Sequence, residues 1–112
     1  MIIAILDDQT VCLHETITGV RRNHEAIDVE TGSVRFYDDQ SRYLQPVFWR
    51  PNRFLLGGFL LDQGEYSLEV APIPSGVRPL RDALNQAVLL EPNELVGSLE
   101  ELRARIESAP AV

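Results

Sequence analysis

Up to about residue 71 the apolar positions of this chain recur at every second residue or in short runs; from Pro79 they recur every three to four. The first spacing predicts strands and the second predicts helices. Ile2-Ile3-Ala4-Ile5-Leu6 is apolar on both faces, which places it inside a sheet or beneath helices. Asp7-Asp8-Gln9 turns the chain, and Val11, Leu13 and Ile17 then alternate with Cys12, His14 and Thr16, the pattern of a strand with one wet face. Residues 19–24 are polar and read as a loop. Residues 26–30 and 33–37 flank Thr31-Gly32, a tight-hairpin signal, and 38–41 make a second turn. Residues 43–49 are aromatic and β-branched; Pro46 inside them marks an edge strand or a bulge.

Residues 54–61 form the most apolar stretch, split by Gly57-Gly58, which signals a bend or bulge. They are expected to pair in a hairpin with 66–70, where Tyr66, Leu68 and Val70 alternate with polar neighbours. Leu80, Leu84, Ala87 and Val88 fall on one helical face behind Pro79, and Pro92 ends that pattern. Ser98-Leu99-Glu100-Glu101 matches a capping box, followed by the stripe Leu99, Leu102, Ile106. The expected fold is therefore α+β: five to seven short, mostly antiparallel strands in a bent sheet or partial barrel, followed by two C-terminal helices. A β-sandwich with a helical tail is the alternative. One domain spans 1–112, β-rich over 1–74, helical over 77–108, with a flexible tail at 109–112.

Charge narrows the partners. The 112 residues carry a net charge of -7, against a nucleic-acid-binding or anionic-membrane surface. All ten basic residues are Arg, a bias that a GC-rich genome explains, and a bacterial source is expected. Cys12 is the only cysteine, which excludes a disulfide scaffold. No signal peptide or membrane-length apolar run is present, so a cytoplasmic location is expected.

The common catalytic and cofactor motifs are absent, among them the dinucleotide and phosphate loops, G-x-S-x-G, H-E-x-x-H and C-x-x-C. No cofactor is expected. Cys12 and His14 share a strand face, and His24 follows a loop; a zinc site would need that loop to fold back, so no stoichiometric metal is expected. A nucleophilic Cys12 lacks the electropositive setting that a thiolate requires. Asp7-Asp8 and Asp38-Asp39 read as turn formers.

The most informative stretch is 35–54. It holds six of the eight aromatics together with Arg35, Arg42, Arg50 and Arg53. Trp, Tyr and Arg dominate binding hot spots, and guanidinium groups clamp anions and stack on rings. Arg42, Tyr43, Trp49, Arg50, Asn52 and Arg53 are the expected binding residues. The leading expectation is a non-catalytic binding or assembly protein that engages a protein partner, a second copy or an anionic small ligand. A small enzyme with its site in a sheet cavity is the alternative; its mark would be a pocket holding two or more titratable groups with displaced pKa values. An acidic nucleic-acid mimic is a third, opposed by the interspersed arginines.

Overall fold

The computed structural model describes residues 1–55, 57–58 and 60–108; the tail expected at 109–112 lies outside the described residues. Six strands form one open, mixed sheet. In spatial order they are β7 (Glu65–Val70), β4 (Tyr43–Arg50), β3 (Val34–Asp38), β1 (Ile2–Leu6), β2 (Thr10–His14) and β8 (Leu89–Leu90). Every neighbouring pair is antiparallel except β2 with β8, where Thr10 stands beside Leu89 and Val11 beside Leu90. A separate two-stranded ribbon joins β5 (Arg53–Phe54) to β6 (Leu60–Asp62). The class is α+β, and the sheet does not close into a barrel.

Period-two alternation sends neighbouring residues of the sheet into two different cores. Ile3, Ile5, Val11, Leu13, Tyr37 and Tyr43 pack under α3 (Leu80–Gln86) and α4 (Leu99–Ser108), against Leu80, Leu84, Leu102 and Ile106. Ala4, Phe36, Leu44 and Tyr66 pack under α1 (Ile17–Asn23) and α2 (Ala26–Glu30), against Val20, Ala26 and Val29. The apolar run of β1 is thus explained: it lies between β2 and β3 with helices on both sides.

Ser98 caps α4 as expected, and the return bond of Glu101 falls one residue earlier than in a capping box, on Gly97. Glu101 N–H donates to Ser98 Oγ at 3.1 Å, while the Glu101 carboxylate accepts from Gly97 N–H at 2.9 Å. Arg103 then ties the two C-terminal helices together. Its guanidinium donates to the carbonyls of Leu84 (2.8 and 3.0 Å) and Ala87 (3.2 Å) at the end of α3, where the Leu84 carbonyl also accepts from Ala87 N–H.

Four local expectations are corrected. The helix read through Ala87 and Val88 ends at Gln86; Val88 is exposed, and Leu89–Leu90 leave the helix to form β8 beside β2. Residues 17–23 are helix, not strand and loop: Thr16 Oγ1 accepts from Gly19 N–H at 3.2 Å and starts α1. Residues 26–30 are also helix, not a hairpin strand, and Gly32, at φ +80°, ends α2 in the left-handed position that follows a helix cap. Finally, 66–70 does not pair with 54–61. β7 pairs with β4, from Leu44 opposite Val70 to Arg50 opposite Glu65, and β6 pairs with β5. Pro46 sits where β4 has passed beyond its pairing with β3 at Leu44 and keeps β7 as a neighbour, consistent with its missing N–H.

Candidate functional site

The two turns of α1 reverse the chain after β2 and bring His24 back beside His14. His24 caps α1, its N–H donating to the Val20 carbonyl at 2.9 Å, and its own carbonyl accepts from Tyr66 Oη at 2.8 Å. The ring is thereby fixed, 5% exposed, with one edge toward Phe36 at 5.8 Å between centroids. His14 meets it at a steep angle (81° between ring planes), and the two Nε2 atoms stand 2.8 Å apart. One Nε2–H donates and the other Nε2 accepts, so the accepting ring is unprotonated at that atom.

The pair lies in the wall of a cleft of about 550 Å³ bounded by the end of β2, α1 and residues 91–95. Burial lowers the pKa of His14; burial, followed by the proximity of His14, lowers that of His24 to about 4, against the pull of Asp28. Cys12 lines the same cleft. Burial first, then the charges of Glu91 and Asp8, push its thiol up to about 11. That thiol is protonated at neutral pH and is not a nucleophile. The cleft therefore offers two neutral imidazoles and a thiol beneath a rim carrying Glu15, Glu91 and Glu94.

The residues expected to bind are spread along β4 and the chain beyond it. Tyr43 is buried in the core, edge-on to Tyr37. Arg42 is held by Asp38, Nε to Oδ2 at 2.6 Å; Asp38 Oδ1 also accepts from the N–H groups of Gln40 and Arg42 and so builds the turn. At the far end of β4, Trp49 is 61% exposed. Arg50 donates to the Gln63 carbonyl at 3.1 Å and faces Glu65 at 3.6 Å. Arg53 stands opposite Asp62 in the ribbon. Asn52 is a clasp: Oδ1 accepts from Gly64 N–H at 2.7 Å, and Nδ2 donates to the Ala26 carbonyl and to Glu30. Trp49, Arg50, Asn52 and Arg53 are thus brought together at the base of the ribbon, and Arg42 and Tyr43 lie at the opposite end of β4.

The aspartate pairs do form turns. Asp8 Oδ1 accepts from Thr10 N–H at 3.0 Å, which lowers the Asp8 pKa. Sequence reasoning missed the His14–His24 pair because residues 19–24 read as loop; the Thr16 cap three residues before Gly19 was the available signal.

No family model matches the chain, and neither a curated protein nor a solved structure is significantly similar to it. No helix among the described residues is long and apolar enough to cross a membrane.

Proposed function

We propose that this chain is a non-catalytic assembly protein that docks a second copy of itself through the outer end of β4 and the β5–β6 ribbon. The observation that carries the reading is the exposed apolar group there: Trp49, Phe54, Leu55 and Leu60. An isolated two-stranded ribbon is marginal in water, and one with apolar side chains in solvent gains by packing against a partner. A second copy is favoured because the region balances its own charge. Arg50 and Arg53 stand with Asp62 and Glu65, so a two-fold contact has both signs available to pair across the axis. An anionic small ligand is less favoured, since Arg50 is already engaged by Gln63 and Glu65. Sedimentation equilibrium tests the proposal. The wild type should dimerise with rising concentration, and Trp49→Ser with Leu60→Ser should stay monomeric while still unfolding in one cooperative transition. A wild type that remains monomeric, or a dimer that survives both substitutions, overturns it.

The small-enzyme reading keeps one specific support, the three displaced titratable groups in the His14–His24 cleft. It would be acid–base chemistry by a neutral imidazole, since the Cys12 thiol is protonated. Its test is whether polar small molecules shift the two imidazole NMR signals at saturable concentrations.

A further inference from the structure

The cleft supports an inference that does not depend on dimerisation. We propose that His14 and His24 form an open two-histidine site for a divalent transition metal, with Cu2+ the ion best suited.

Nε2 is the atom through which a histidine side chain most often binds a metal, and here two of them converge from different elements. Two metal–nitrogen bonds of about 2.0 Å that meet at a right angle put their nitrogens about 2.8 Å apart; at the tetrahedral angle the separation is about 3.3 Å. The observed 2.8 Å is the length of the hydrogen bond between the rings, and it also matches the spacing of adjacent corners in the tetragonal geometry preferred by Cu2+. A metal would take the place of the Nε2–H, and the donating ring, still neutral, would carry its proton on Nδ1 instead. His24 cannot move far, being buried and tied at both its N–H and its carbonyl. His14 is only partly buried, and a swing of its ring out of line with His24 turns its lone pair onto the point in the cleft at which the His24 lone pair aims.

The surroundings favour a cation. Glu15, Glu91 and Glu94 line the cleft, and among the described residues no arginine does. Thr16, Asn23, Asn93 and the Cys12 thiol add further polar groups to the wall. Among the described residues no third His, Cys, Asp or Glu stands close enough to make a three-donor set. The remaining positions are therefore filled by water or by an external donor entering the cleft, which distinguishes this site from a closed structural zinc site. An open two-ligand site exchanges its ion readily. It is detected by titration and not by the metal content of the purified chain.

The test is titration of the full chain with Cu2+, followed by electron paramagnetic resonance and by calorimetry. One equivalent should bind with hyperfine coupling to two imidazole nitrogens. His14→Gln leaves the buried ring of His24 with a hydrogen-bonding neighbour; it should keep the melting curve and weaken Cu2+ binding by more than about tenfold. Cys12→Ser should bind as the wild type does. To guard against a variant that fails to fold, the wild type is also followed by NMR with Zn2+, which should shift the Nε2 resonances of both histidines together. Absence of stoichiometric uptake overturns the proposal. So does binding that His14→Gln leaves unchanged, or a Cu2+ spectrum that reports the chain terminus or carboxylates in place of imidazole.

Discussion

Phe36 and Phe54 are the same side chain on strands of the same chain, as are Val11 and Val47. Phe36 and Val11 are wholly removed from water, whereas Phe54 keeps 48% of its surface in solvent and Val47 keeps 36%. The difference lies in what covers them. β3, β1 and β2 have a helical pair on each face, and the far end of β4 and the ribbon extend past those helices. Local sequence makes a strand in both regions; burial is decided by segments far away in the chain. The inner region therefore stores stability, and the outer one presents surface.

The sharpest way to break this contrast is at β1. Deleting residues 2–6 takes out the strand shared by both cores and should abolish cooperative unfolding in urea; a truncated chain that still melts in one transition would end the assignment. Leu102→Ala, at a side chain with no exposure, should cost about 2–5 kcal/mol. Leu60→Ala in the ribbon should cost well under half of that in the same denaturation series, and equal losses would erase the distinction.

Acid should act on the inner region alone. His24 takes a proton near 6.5 when unfolded and near 4 when folded, so between those values the unfolded chain binds more protons. For the metal-free protein, stability is full above about pH 6.5 and falls as pH drops toward 4. The urea midpoint followed over that range measures this, and a flat profile would show the ring to be open to water. The ribbon residues 53–62 contain no histidine, so self-association should not share this dependence.

Smaller again, Ser98→Ala removes the acceptor for Glu101 N–H and should cost roughly 1 kcal/mol, measured by urea denaturation. The least effect on stability, less than about 0.5 kcal/mol, is expected for Arg50→Ala with Arg53→Ala, two exposed groups. That double variant should nevertheless lose dimerisation by sedimentation. If it unfolds, the guanidinium groups anchor the ribbon base, and the outer region is structural after all.

What was legible in the sequence follows from the same contrast. β1 announced itself because five consecutive apolar residues need cover on both sides, and α4 because its cap and stripe are local. α2 was read as a strand because Ala-Ile-Asp-Val-Glu is too short to show a helical period and is rich in β-branched residues. Its helical state is held by distant partners: Ala26 N–H on the Gln63 side chain, the Ala26 carbonyl on Asn52, and Val29 in the core with Phe36 and Tyr66. The His14–His24 pair was hidden for a similar reason, since it depends on α1 turning back over β2. The exposed setting of Trp49 was legible from the Pro51-Asn52 break, whereas burial of Tyr43 depended on which face of β4 the C-terminal helices cover.

The clasp at Asn52 has a consequence for the natural history of the chain. The backbone leaves the main sheet at Arg50 and rejoins it at Glu65, and these residues are direct neighbours in the ladder. Gly64 lies so close to the Arg50 carbonyl that a Cβ placed on it would stand 2.2 Å from that oxygen. Everything between enters and exits through one narrow gate, locked by Asn52 Oδ1 on Gly64 N–H. Residues 53–62 are thus a cassette that can change in length and composition without disturbing the register of β4 with β7, because lengthening a loop whose ends are already joined costs little entropy. Descendants of this fold should differ most in what hangs from that gate, and least in the asparagine and glycine that close it.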